Sequence, residues 1–244
     1  KYLIIIFLSS FLYFFLGRYD DIKNITPSIK FICFVFIFFF LYPLESNLII
    51  KELKFNYLDI ILPLNNYSIY FTLFCMFVFY NSSNFIDGVN GLYASTVIFW
   101  IISFIFLTKL VSIIFFIIIL SLLIFLYFNL NNKVFFGNSG NIFLTCFIGS
   151  MYIFSYNKFN NIYCDEIFFL FLIPGLDTTR LVIERLLKGK SPLDGDNRHL
   201  HHMILNVSNE KLVWIFNLII IALPFIFLKI VYDFYFTLIF SITI

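Results

Sequence analysis

Nine apolar stretches, at roughly 1–16, 29–44, 67–86, 91–108, 110–130, 139–156, 166–187, 211–231 and 233–244, are separated by short polar segments. A helix needs a run of about 20 such residues to cross a bilayer, and inside the hydrocarbon only structures that satisfy their own backbone persist. The pattern therefore predicts an all-α polytopic membrane helix bundle of about nine transmembrane helices, forming a single integral-membrane domain over 1–244. Hydrophobic residues at 61% and charged residues at 12% exclude a soluble domain, because so much Phe, Ile and Leu would leave large apolar patches in water. A net charge of +2 carries no footprint for nucleic acid. Cys33, Cys75, Cys146 and Cys164 show neither metal nor redox spacing and read as small hydrophobes.

The opening run is not followed by a small-residue cleavage site, so it does not read as a signal peptide; beginning at Lys1, the chain is expected to lack an N-terminal portion. Segment 45–66 is polar and Pro-bounded, with alternation over 48–55 that predicts a small periplasmic β-hairpin. Nine crossings place 17–28, 87–90, 131–138 and 188–206 at one face. The other face takes 45–66, the turn at Lys109, 157–165 and the turn at Asp233. Lys and Arg bias decides orientation. Arg18, Arg180, Arg185 and Arg198 all belong to the first set, so that face is expected in the cytoplasm of a bacterial inner membrane.

The same face gathers the polar oddities of the chain. Asp20 and Asp21 are adjacent carboxylates, able to hold a hard cation, place a phosphate through it, or share a proton; alone, such a pair is more often a helix cap. Asn81, Asn84 and Asp87 recur every three residues along one helix side, followed by Gly88, Asn90 and Gly91. Gly137 and Gly140 flank Asn138 at a helix start, where free N–H groups favour a phosphate. Asp177 and Arg180 lie inside a span. All three histidines, His199, His201 and His202, stand beside Arg198 in a Pro- and Gly-broken loop. Ionisable groups at membrane depth are costly, and their default reading is functional. These parts suit a magnesium-assisted reaction on a phosphate. No internal repeat supports an inverted-repeat transporter.

Asp20-Asp21-Ile22-Lys23-Asn24, the run Asn81 to Leu92, Gly137-Asn138-Ser139-Gly140 and Ser191-Pro192 through Arg198-His199-Leu200-His201-His202 resemble, in order, the signature loops of the polyprenyl-phosphate N-acetylhexosamine-1-phosphate transferases. This is glycosyltransferase family 4, the WecA and MraY superfamily, and the last motif resembles its WecA-like branch. The resemblance implies transfer of a sugar-1-phosphate from a UDP-N-acetylhexosamine to undecaprenyl phosphate with release of UMP. It further implies Mg2+, with Mn2+ as a substitute, and a role in cell-wall, lipopolysaccharide or O-antigen synthesis. It casts Asp20, Asp21, Asp87 and Asn84 as catalytic, and Asn84, Asp87 and Asn138 as the metal site. Asn81, Asn90, Arg180, Arg198, His199, His201 and His202 would bind substrate. Two departures stand out: Asp87-Gly88-Val89-Asn90-Gly91 has Asn where the family commonly has Asp, and Asn138 replaces the family's metal-binding aspartate. The alternative is an inactive homologue that binds polyprenyl phosphate or serves as a scaffold. The expected partners are the nucleotide-sugar, the lipid acceptor and the bilayer, with no nucleic acid; a homodimer is compatible with the sequence.

Overall fold

The computed structural model describes residues 2–159, 162–189, 199–205 and 209–243. The chain is an all-α polytopic membrane protein with one small hairpin. In order it runs through α1 (Tyr2–Lys23), α2 (Pro27–Leu41), β1 (Glu52–Phe55), β2 (Ile60–Pro63), α3 (Ser68–Ile86), α4 (Leu92–Thr108), α5 (Ile113–Leu130), α6 (Gly137–Lys158), α7 (Cys164–Leu187), α8 (Leu200–Leu205), α9 (Glu210–Val231) and α10 (Phe234–Thr243). Each of the nine apolar stretches falls in a helix, and α8 is a short addition inside the histidine segment.

The helices are of two kinds. Among the described residues five are long and apolar enough to cross a membrane: Tyr2–Lys23, Pro27–Leu44, Asn65–Ile86, Ile113–Leu130 and Leu212–Val231. Shorter apolar helices are Leu92–Thr108 and Phe234–Thr243. Polar residues are frequent in α6 because its solvent is protein: it is buried almost without a break from Asn141 to Tyr156, packed against α1, α3 and α4. In that interior each buried hydroxyl needs a partner. Tyr42 exchanges a 2.7 Å bond with Ser150, Tyr93 donates to the Asn141 carbonyl at 2.9 Å, and Tyr152 donates to the Trp100 carbonyl at 2.8 Å.

The most extensive helix pair is α1 against α6. Aromatic contacts mark its antiparallel register: Tyr2 stacks on Phe154 at 3.9 Å, Phe7 meets Phe147 at 5.3 Å, and Phe11 meets Phe143 at 5.5 Å. The register ends at Gly17, which lies against the first turn of α6. A Cβ there would stand 2.6 Å from the Asn138 carbonyl oxygen and 2.7 Å from the Ser139 Cα. Sequence places a loop at 17–28, but the helix continues to Lys23 and only 24–26 leave it. Gly17 breaks nothing because close packing holds it, and termination waits for Asn24 with φ +48°. Asp20 and Asp21 thus belong to the last turn of α1.

The expected hairpin forms, with its strands at 52–55 and 60–63 paired antiparallel, further along than the alternation over 48–55 suggests. Side chains from three helices hold it and the segment before it. Thr72 of α3 accepts from Ile50 N–H at 2.8 Å, and Tyr156 of α6 accepts from Lys54 N–H at 2.7 Å. Asn157 donates to the carbonyls of Asn47 and Ile49, and Asp165 of α7 accepts from Tyr57 N–H at 2.8 Å.

Gly17→Ala should be destabilising by about 1–3 kcal/mol, because the atoms it meets are backbone and cannot rotate aside. A thermal midpoint in detergent equal to that of the unsubstituted protein would show that α1 and α6 do not meet this closely.

Candidate functional site

At the end of the bundle opposite the hairpin, the last turns of α1 and α3, the turn 87–91, the end of α5 and the start of α6 enclose a cavity of about 520 Å³. Asp21, Asn84, Asp87, Gly88, Val89, Asn90, Asn129, Phe135, Phe136, Gly137 and Asn138 line it. Of the residues singled out in sequence, Asp21, Asn84, Asp87, Asn90 and Asn138 are therefore brought together. Asn81 lies deeper on α3 and donates to the Phe77 carbonyl of its own helix at 2.8 Å.

The two adjacent aspartates part ways, as neighbours on a helix must. Asp21 accepts the backbone N–H groups of Asn138 at 2.9 Å and Ser139 at 3.1 Å. Those are the N–H groups of the α6 start that sequence offers to a phosphate; a carboxylate of the chain itself occupies them, which corrects that expectation. Asp20 is buried, accepts the Asn138 side-chain amide at 2.7 Å and the Ile25 N–H at 3.1 Å, and is paired with Lys30. Its oxygens already serve three donors.

Asp87 is placed differently. Burial pushes its carboxyl up to about 7, a bond from the Asn141 amide draws it back, and the charge of Asp21 raises it. Among the described residues no lysine, arginine or histidine compensates it.

Sequence reading missed Asn129. It is buried at the end of α5, accepts the Gly91 N–H at 2.6 Å, and donates to the Asn90 side chain at 3.0 Å and the Val134 carbonyl at 2.8 Å. Asn90 in turn donates to Asn132. The signal was present as Asn129-Leu130-Asn131-Asn132 closing an apolar run; nothing in that pattern tells which amide turns inward.

The histidine segment reaches the same end from α7 and α8. His199 is buried, bonds through Nδ1 to Asp177 at 3.1 Å and lies 4.5 Å from the Phe85 ring. His201 packs so tightly over Gly88 that any Cβ there would collide with its imidazole. Arg180 bonds Asp177 at 2.9 Å and Glu184 at 3.2 Å, so acids on its own helix compensate its charge. Arg198 and the side chain of His202 lie outside the described residues.

Among the described residues no group of three His, Cys, Asp or Glu could hold a metal alone. Of the residues that line the cavity, Asp87 and the amides of Asn84 and Asn138 offer oxygens to a metal, while Asp21, Asn90 and Asn129 line it with side chains bonded to backbone or to neighbouring amides. The Asn138 nitrogen is spent on Asp20, leaving its oxygen. Magnesium, which takes one or two carboxylates and fills its remaining positions with water and phosphate oxygens, fits such a set.

Among known proteins, the family model described as glycosyl transferase family 4 matches residues 3–156, well over half the chain. No curated protein matches it. The matched stretch holds every residue that lines the cavity, while Asp177 and the histidines lie beyond it.

Asp87 yields a pH prediction. Its carboxyl is raised above the unfolded value of about 3.9, so ionising it in the fold opposes stability. That opposition is absent below the unfolded value, grows between about pH 4 and 7, and is complete above 7. With EDTA present, Asp87→Asn should melt higher than the unsubstituted protein at about pH 8, with the gap closing as pH falls. A pH-independent gap would mean that Asp87 is not held in a desolvated place.

Proposed function

The chain belongs to glycosyl transferase family 4, and on that premise we propose that it transfers an N-acetylhexosamine-1-phosphate from a UDP-sugar to undecaprenyl phosphate at the cytoplasmic face of a bacterial inner membrane. The observation that supports this most is the cavity in which Asp21, Asn84, Asp87, Asn90 and Asn138, from segments far apart in sequence, face one volume. It lies at the end of the bundle toward which α1 and α7 carry Arg18, Arg180 and Arg185, a bias that supports a cytoplasmic face.

In the reaction an oxygen of the lipid phosphate attacks the β-phosphorus of the UDP-sugar. The bond from that phosphorus to the bridging oxygen breaks, and UMP leaves with the electron pair. A phosphate monoester with a second pKa of about 6 is already largely ionised at pH 7, so the protein has little proton work to do, and positioning and charge compensation dominate. Asp87 and the amide oxygens of Asn84 and Asn138 would hold magnesium, which when bound would supply positive charge against the diphosphate. Asp21 fixes the first turn of α6 so that Asn138 faces the cavity. Asp20, with its oxygens spent on Lys30, Asn138 and Ile25, keeps the end of α1 in place. His199 and His201, buried beside Phe85 and Gly88, are the side chains that would hold the nucleotide-sugar, and Arg180 and Arg198 would add charge.

One observation favours a second reading, a homologue that binds polyprenyl phosphate without turnover. The Asn138 amide closes the α1–α6 junction by donating to Asp20, which a carboxylate at that position could not do without a cation between them.

Membranes containing the full-length protein, supplied with magnesium, undecaprenyl phosphate and a panel of labelled UDP-sugars, should release UMP with at least one donor. Lipid binding with no UMP from any donor would leave the second reading standing. In the same assay Asn138→Asp should preserve or raise activity and lower the magnesium concentration needed for half-maximal rate, since an added charge near a dication strengthens its binding by a few kcal/mol at an effective dielectric of about 20. A sharp fall in activity would remove Asn138 from the metal site.

A further inference from the structure

We propose that Asp177 is the positioning residue of the nucleotide-sugar wall: it fixes His199 as the tautomer that carries its proton on Nδ1 and presents Nε2 as an acceptor. The proposal rests on the reading that His199 holds substrate, but its geometry stands on bonds that make no reference to substrate. Asp177 lies on α7, outside the stretch matched to the family, and none of the roles assigned above includes it.

Its two oxygens divide their work. Oδ1 accepts from the Arg180 guanidinium at 2.9 Å and from the Leu200 backbone N–H at 3.2 Å. Oδ2 faces the His199 ring at 3.1 Å through Nδ1. A carboxylate is an acceptor only, so Nδ1 must be the donor, and in the neutral ring the lone pair is left on Nε2. Free imidazole side chains favour the opposite tautomer, so the choice is imposed from outside. Orientation is imposed with it. One face of the ring lies on Phe85, the ring stacks at 9° with that of His201 at 5.6 Å, and His201 rests on Gly88 next to Asp87. The bond from Leu200 N–H means that the same carboxylate sets where the segment starts its short helix. One side chain of a helix that contributes no residue to the cavity thereby aligns the histidines with the turn that bears Asp87.

The arrangement makes the isosteric change Asp177→Asn informative. An amide has one acceptor oxygen, and two donors, Arg180 and Leu200, already share one position. The NH2 group must therefore face His199, whose Nδ1 becomes the acceptor and whose proton moves to Nε2. Shape is preserved while the tautomer inverts, the logic by which losing the orienting carboxylate of a catalytic histidine costs rate without altering the fold.

The experiment is nitrogen NMR on full-length protein with labelled histidine in lipid nanodiscs, at about pH 9, where an ordinary imidazole is neutral. Three histidines in the chain make assignment by single His→Gln changes direct. The unsubstituted protein should show His199 with Nδ1 protonated, Asp177→Asn should show Nε2 protonated, and kcat/KM for the nucleotide-sugar should fall at least tenfold, a size of effect usual for lost outer partners of a ligand, with the thermal midpoint little changed. An Nε2-protonated His199 in the unsubstituted protein, or one unaltered by Asp177→Asn, would overturn the proposal, and the first result needs no variant to fold. The tautomer is read without turnover, so a protein that releases no UMP yet shows the inversion would remove the transferase reading and leave the role of Asp177 in place.

Discussion

The start of a helix brings N–H groups that no preceding turn can satisfy, and a side chain, water or ligand must serve as their partner. At the start of α6 that partner is Asp21, which takes two of them. The capture works because α1 can come within backbone distance of α6 at Gly17, which brings the last turn of α1 over the open end of its neighbour. The aromatic pairs from Tyr2 to Phe11 set the antiparallel register, and register places Asp21. The cavity is built around this junction: Asn138 faces it because its turn is held, and Asp20 is buried because its neighbour points the other way.

Amides, more than charges, shape the remainder of the site. Asn129 holds Asn90, Gly91 and Val134 at once, while Asn141, fully buried, donates to the Ser83 carbonyl at 3.1 Å. An asparagine offers donor and acceptor together and adds no net charge, so a wall of them can be buried at modest cost. Asp87 is then a carboxylate of the cavity that no cationic side chain offsets among the described residues, and a cation or cationic ligand entering there meets its charge and that of Asp21 among neutral amide oxygens.

Much of this was legible in the chain. The spans follow from the length of apolar runs, the single polar face follows from the arginines, and the grouping of Asp21, Asn84, Asp87, Asn90 and Asn138 follows from loops assigned to that face. What sequence could not yield is which side of each helix looks inward. In a soluble helix the apolar stripe says so, but α5 is apolar over nearly its whole surface and the few small and polar residues of α1 do not name the neighbour they meet, since lipid and protein ask for the same residues. Hence the continuation of α1 past Gly17, the inward turn of Asn129 and the capture of the α6 start by Asp21 all escaped, since each depends on a neighbour distant in sequence. Asp177 was visible as a charge at depth, yet its two-sided bonding to Arg180 and His199 needed the fold.

The hairpin at the far end bears on how firmly the cavity is held in shape. Tyr156 and Asp165 clamp it to α6 and α7 and Thr72 holds Ile50, just before it, to α3; Asn84 and Asn138 stand at the opposite ends of α3 and α6, and Asp177 midway along α7. Three helices held together at one tip, packed on one another along their lengths and tied to α1 at the start of α6 through Asp20 and Asp21, keep the distance between their far ends fixed.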